Sequence, residues 1–276
     1  MRYLFVSVLT LLGWLSSGGM RAEDASRFLV LASTTSTENS GLFDYLLPHF
    51  TDLTGIQVRV VAVGTGQAIR LASNGDADVL LVHHRPSEDA FVAQGLGVRR
   101  YSLMHNDFVL VGPEDDPAKV SGDSDILHAL EKIRASQSVF TSRGDDSGTH
   151  KKELSLWAEA GIDPSAANSS GYRETGAGMG ATLNTAVAMN AYVLSDRATW
   201  ASFGNKGRLK VLVEGDLRLF NPYGVILVNP ERFPLAHASE GQAFIDWLLS
   251  PAGQALIAAY RIDGAPVFFP DAVAAH

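Results

Sequence analysis

The chain has no cysteine. Disulfides, thiolate metal sites, thiol catalysis and a lipid-modified N-terminal Cys are therefore all excluded. Charge is sparse as well. Charged residues make up 19% of the chain, and the acidic ones outnumber the basic to leave a formal net charge of -8. That balance argues against nucleic acid, whose binders carry a positive footprint. A small anion stays open, because local hydrogen-bond donors decide that case. No stretch after the N-terminus reads as a membrane helix, and no internal repeat or low-complexity tract stands out. Catalytic signatures are missing too. There is no Gly-x-Ser-x-Gly elbow. Gly64-Thr65-Gly66 opens like a dinucleotide fingerprint, but Ile69 occupies the place of the third glycine. His83 and His84 are adjacent, so on a strand they point to opposite sides and cannot easily share a metal. Neither a cation site nor a cofactor is expected.

What is present begins with a leader. Arg2 precedes an apolar run over residues 3–15, and small residues follow from Ser16 to Gly19. A charged start, a short apolar stretch and a small-residue end form a secretory signal pattern, and the run is too short for a comfortable membrane span. Residues 1–22 are read as a cleaved signal peptide. Cleavage after Gly19, with Ser17 two residues before it, fits the small-residue rule better than cleavage after Ala22. The remaining chain is long enough for one large domain or two lobes, and its 46% hydrophobic content is ordinary for a soluble protein.

The richest stretch is Thr141-Ser142-Arg143-Gly144-Asp145-Asp146-Ser147-Gly148-Thr149-His150. It combines one guanidinium, two carboxylates, four hydroxyls and two glycines. A helix follows, for which Leu154, Trp157 and Ala158 supply an apolar stripe. A small polar loop feeding a helix N-terminus is an anion site in waiting, because free N–H groups and the helix dipole face the ligand. Lys151 and Lys152 sit in that first turn, where cations oppose the dipole; a docked negative group would make sense of them. Glu153 offers the alternative of a simple local offset. The same grammar recurs. An apolar strand over 27–32 runs into Ser33-Thr34-Thr35-Ser36-Thr37, then a helix striped by Leu42, Leu46 and Phe50 that Pro48 should kink or weaken. A strand over 57–63 ends at Gly64-Thr65-Gly66. A weak strand over 172–175 precedes Gly176-Ala177-Gly178-Met179-Gly180 and another helix. Residues 101–112 read as extended but broken at His105-Asn106-Asp107. Strand, polar loop and helix, repeated four times, imply an α/β fold with ligands outside the carboxyl ends of the strands. The loops at 33–37, 64–66, 143–149 and 176–180 would then converge on one cleft.

Nearly all of residues 27–270 resembles the periplasmic tungstate-binding proteins of ABC importers. The matching pieces are Ser33-Thr34-Thr35-Ser36, Ala62-Val63-Gly64-Thr65-Gly66-Gln67-Ala68, Asp78-Val79-Leu80-Leu81-Val82-His83, Asn106-Asp107-Phe108-Val109-Leu110-Val111-Gly112-Pro113, the Arg143 stretch, and the tail 264–270. The resemblance implies a two-lobed periplasmic-binding-protein fold, with two doubly wound sheets joined by two crossing strands. Lobe I would take residues 23–108 and 222–276, and lobe II residues 109–221. It further implies a monomer in the periplasm that carries a tungstate or molybdate oxyanion to a permease and its ATPase, with no catalytic residue. By the same resemblance Thr34, Thr35, Ser36, Thr65 and Gly66 would donate from lobe I, and Arg143, Ser147, Thr149, Gly178 and Met179 from lobe II. Two other functions stay open. The Arg143 stretch also resembles the Arg-x-Asp-x-Ser-Gly-Thr segment of periplasmic phosphate binders, in which a carboxylate accepts a proton from the phosphate. Asp145 discriminates: facing the cleft it favours phosphate, and paired with Arg143 or capping the helix it favours tungstate or molybdate. A secreted serine hydrolase would need Ser147 and His150 to act together, with a third member not evident in the sequence.

Overall fold

The computed structural model describes residues 27–166 and 171–272; the proposed leader lies outside them. The chain runs β1 (Phe28–Thr34), α1 (Thr35–Asn39), α2 (Leu42–Thr54), β2 (Gln57–Val63), α3 (Thr65–Asn74), β3 (Val79–Val82) and α4 (Arg85–Ala93). The long β4 (Gly97–Pro113) follows, then α5 (Ile126–Ala135), β5 (Phe140–Ser142), α6 (Gly148–Glu159), β6 (Tyr172–Glu174), α7 (Met179–Met189), β7 (Tyr192–Asp196), α8 (Arg197–Ser202) and β8 (Leu209–Val213). β9 (Phe220–Val228) leads back to α9 (Ala238–Leu249) and α10 (Pro251–Ala259). Three two-residue strands close the described chain: β10 (Arg261–Ile262), β11 (Ala265–Pro266) and β12 (Phe269–Pro270).

The strands follow the order β2-β1-β3-β9-β4-β7-β5-β6, with β12 and β8 also on β4. This is the expected α/β class, and strand direction explains where a ligand can sit. β2 and β3 are parallel to β1. β9 is antiparallel to β3, and β4 to β9, so β4 runs the same way as β1. β7 is antiparallel to β4, and β5 and β6 run with β7. The carboxyl ends of β1, β2 and β3 therefore face those of β5, β6 and β7 across the middle of β4. Up to Asp107, β4 pairs with β9; from Phe108 it pairs with β7 and β8. Its polar centre, His105-Asn106-Asp107, is not a break in the strand. It is where the strand changes partners, and Asn106 is held there by the Asn221 amide at 2.6 Å.

Period-two alternation builds a core on each face of each half of the sheet. On β3, Val79 and Leu81 join one cluster with Phe50, Phe244 and Phe268, while Leu80 and Val82 join another with Ala68, Ala72 and Phe91. On β4, Phe108 and Leu110 pack with Leu130, Leu156 and Trp157, and Val109 and Val111 pack with Met179, Leu183 and Trp200. Helices thus cover both faces, as the doubly wound reading requires. The apolar tail packs as expected, with Val267 and Phe268 buried. Pro48 does not break α2, which continues to Thr54. It lies on the exposed side of the helix, where solvent can serve the carbonyl that its missing N–H leaves free.

The expected stripe of α6 is only partly right. Trp157 is buried, but Leu154 is 41% exposed; the inward positions are Glu153, Leu156 and Trp157. Glu153 is therefore no solvated partner for the lysines. The Tyr172 hydroxyl donates to it at 2.7 Å. Burial pushes its carboxyl up to about 7 against that hydrogen bond. The folded protein then holds a proton that the unfolded chain releases near pH 4.5. Stability from this group is complete below about pH 4.5 and is lost as pH rises through about 7. Urea titrations of wild type and Glu153→Gln should diverge over this window, with the variant gaining about 3 kcal/mol relative to wild type by pH 8.

Candidate oxyanion site

Three helix N-termini meet where the strand ends face one another. On the side of β1, Thr34 caps α1, its hydroxyl accepting from the Thr37 N–H at 3.3 Å. The first-turn N–H groups of Thr35 and Ser36 have no intrahelical acceptor. At the end of β2, Gly64 leads into α3, whose first residue, Thr65, is fully buried. At the end of β3 stands His83. Its Nδ1 lies 3.0 Å from Asn221 Oδ1, and its Nε2 lies 3.2 Å from Ser36 Oγ. Burial, with smaller contributions from His84 and Arg143, drives the imidazole down to about 4, so it is neutral at pH 7. With Asn221 donating its amide to Asn106, its oxygen faces Nδ1, which therefore carries the proton. Nε2 accepts, and the Ser36 hydroxyl donates to it.

The opposing wall comes from the end of β5. Gly144 and Asp146 both adopt φ 59°, turning the chain tightly into α6. Ser147 caps that helix, its hydroxyl accepting from the His150 N–H at 3.2 Å. Arg143 is buried. Its Nε donates to the Ala177 carbonyl at 2.8 Å, and one terminal nitrogen donates to Asp145 Oδ2 at 2.5 Å. The rest of the guanidinium fork remains for the cavity. Asp145 is fully engaged. Its other oxygen accepts from the Ser147 N–H at 3.2 Å, so the carboxylate pairs with Arg143 and braces the start of α6.

Together these walls line a cavity of about 10 Å³, bounded by Thr34, Thr35, Ser36, Val63, Gly64, Thr65, His83, Arg143, Ser147, Gly148 and Thr149. That is room for about one water molecule, so a ligand here must be small and the walls must part to admit it. Among the described residues, no carboxylate lines it. The walls touch directly, with the Gly148 N–H donating to Thr65 Oγ1 at 3.0 Å. Three anticipated residues are not part of the lining. Gly66 lies against the Asp146 carboxylate from the opposite wall, where any side chain would collide. Met179 is fully buried in the core under β4, and Gly178 is exposed at the start of α7. Their loop serves the site indirectly, since Ala177 within it holds the Arg143 guanidinium.

A profile described as a PBP superfamily domain matches residues 19–252. The chain is 49% identical over 259 residues to the tungstate-binding protein TupA of Peptoclostridium acidaminophilum, covering 92% of this chain and 90% of that one. The chain belongs to the TupA family of tungstate-binding proteins, within the PBP superfamily. Two solved structures agree in fold. The tungstate-binding protein TupA from Desulfovibrio alaskensis G20 superposes with a TM-score of 0.77 at 46% identity, covering 90% of this chain and all (100%) of that one. The tungstate ABC transporter structure from Geobacter sulfurreducens gives 0.78 at 44% identity, covering 84% and 98%.

Membership of a transport family sets the hydrolase reading aside, and geometry concurs. His150 Nδ1 accepts from the Asp146 N–H at 3.2 Å, while Ser147 Oγ serves the helix cap, so the two side chains do not address each other. Of the lining residues outside the expected ligands, Val63, Gly64, Gly148 and His83, it is His83 that brings a polar side chain. Its only local signal was a polar residue ending a buried apolar strand, a place where α/β folds present side chains to ligands. A further close approach between the walls is at Gly148. A Cβ there would lie 2.7 Å from His83 Cε1 and 3.0 Å from Thr65 Oγ1. Gly148→Ala should leave the urea midpoint almost unchanged and weaken anion binding at least tenfold, because it wedges the walls apart; calorimetry and urea titration on the same preparation check both halves.

Proposed function

We propose that this is an exported substrate-binding protein that captures tungstate, or the closely similar molybdate, between two lobes and delivers it to the permease and ATPase of an ABC importer. The carrying observation is the direction of Asp145. Its two oxygens are held by Arg143 and by the Ser147 N–H, so no carboxylate faces the cavity. Nε2 of His83, another acceptor that a protonated anion could address, is covered by the Ser36 hydroxyl. A fully deprotonated tetrahedral dianion asks only for donors. Hydrogen phosphate would bring a hydroxyl that meets only neutral hydroxyl acceptors here, without the stronger charge-assisted bond that a carboxylate would give it.

In this reading Thr34, Thr35, Thr65, Arg143, Ser147 and Thr149 supply donors from their hydroxyl, amide or guanidinium groups. Ser36 contributes its N–H, because its hydroxyl is committed to His83. Charge-assisted bonds contribute ~1.5–3 kcal/mol each. Seven or eight give roughly 10–20 kcal/mol before the ordering costs of association, enough to reach the ~12 kcal/mol of a nanomolar binder. In this reading the hinge runs through β4 between Asp107 and Phe108, where the strand changes partners, and through the start of β9 at Phe220, with the lobes divided at 108 and 222. Closure about it is a hinge motion of a kind common in binding proteins. Export by a cleaved leader, and a periplasmic location, complete the proposal.

Calorimetric titration of the anion-stripped protein with tungstate, molybdate, phosphate and sulfate, at fixed salt and pH, tests it. Tight binding of tungstate and molybdate is expected, with phosphate silent and Arg143→Ala weaker by roughly 2–5 kcal/mol. Tight phosphate binding with weak tungstate binding would reverse the assignment, and unchanged affinity in Arg143→Ala would remove Arg143 from the ligand set.

A further inference from the structure

A second space opens directly beside the oxyanion cavity. It holds about 820 Å³ of empty space open to solvent, and it shares two lining residues with the cavity, His83 and Gly148. Its other lining residues include His84, Arg85, Lys151 and Lys152, and no carboxylate. That is unexpected in a chain of net charge -8. The basic groups come from both walls: His84 and Arg85 from the start of α4, the lysines from the first two turns of α6. They are not equally available. Arg85 is paired with Asp89 on its own helix, and Lys151 with Asp146. Lys152 makes no ion pair with a described residue, although it is half-buried. Burial lowers its ammonium from the usual lysine range. Burial and then Lys151 lower His84, with Lys152 adding to the effect. Lys152 is thus the cation of the groove with no carboxylate of a described residue in ion-pair contact, although Glu159 and Asp216 favour its charged form.

We propose that this groove is the route by which the oxyanion reaches the cavity. An anion first rests between Lys151 and Lys152, then passes Gly148 and His83 as the lobes part. The inference rests on the oxyanion reading above. A cation placed beside the route but outside the final cavity raises the encounter rate, while the bonds that retain the bound anion lie elsewhere. Its signature is therefore kinetic: association slows, dissociation does not.

The test uses the full mature protein and tungstate. A chase of radiolabelled tungstate by excess unlabelled anion gives the dissociation rate, calorimetry gives the dissociation constant, and their quotient gives the association rate. Lys152→Gln should lower the association rate about threefold to tenfold at low ionic strength, with an unchanged dissociation rate and a shallower fall of association with added salt. Lys152→Arg should restore the wild-type rate. Lys210→Gln, at the far end of β4 opposite Gly112, should change neither rate. An unchanged association rate in the Lys151→Gln, Lys152→Gln double variant would overturn the route, as would a loss of affinity carried by faster dissociation. Failure of the wild type to bind tungstate would be a different result, since it removes the parent reading and the route together.

Discussion

A buried dianion that offers only acceptors must be met by donors, yet a site built from bare cations would repel itself when empty. The Arg143–Asp145 pair resolves this tension. Asp145 neutralises the guanidinium, fixes its plane together with the Ala177 carbonyl, and keeps its own negative charge turned out of the cavity. In the proposed site the remaining attraction comes from hydroxyls and from N–H groups at the starts of α1, α3 and α6, which are dipoles already oriented by the fold. Such donors need no counter-charge and lose little freedom on binding, because each is held by a cap or by a strand end.

The rest of the architecture follows from bringing these elements face to face. Helix N-termini on one sheet cannot surround a small ion. Two sheets whose carboxyl ends oppose one another can, and the antiparallel pairing of β4 with β7 produces that opposition from a continuous strand. The polar residues at the centre of β4 are then part of the function. Asn106 fixes Asn221, Asn221 fixes the His83 tautomer, and His83 fixes the Ser36 hydroxyl. A chain of hydrogen bonds thus ties the crossing strands to the cavity wall, with each amide orientation determined by the next.

Much of this was legible in the sequence because it is local. Hydroxyl-rich or glycine-rich loops between an apolar strand and an amphipathic helix announce themselves within a dozen residues, and Thr34, Thr65, Arg143, Ser147 and Thr149 all lie in such loops. What could not be read depends on distant parts of the chain. Glu153 looks like a surface residue until Tyr172 is placed beside it. Glu88 and Arg100 form a buried ion pair at 2.5 Å only because Gly224, on β9, leaves room for it. His83 gains meaning from Ser36, Asn221 and Gly148, each from a different element. The 176–180 loop shows the opposite error. The resemblance carried Gly178 and Met179 over as ligands, but Met179 lies in the core and it is the Ala177 carbonyl that holds Arg143. The polar run at 105–107 misled for a related reason, since a strand that changes sheets requires polar groups where an ordinary strand would be apolar.

The central claim is that the cavity between the two halves of the sheet closes on an unprotonated tetrahedral dianion with Asp145 turned away. A crystal structure grown with tungstate, with diffraction recorded across the tungsten absorption edge, tests it most directly. The account expects one strong anomalous peak in the cavity, donors from Thr34, Thr65, Arg143 and Thr149 about 3 Å from the anion's oxygens, and Asp145 still paired with Arg143. A peak elsewhere, or a carboxylate rotated onto the anion, would contradict it.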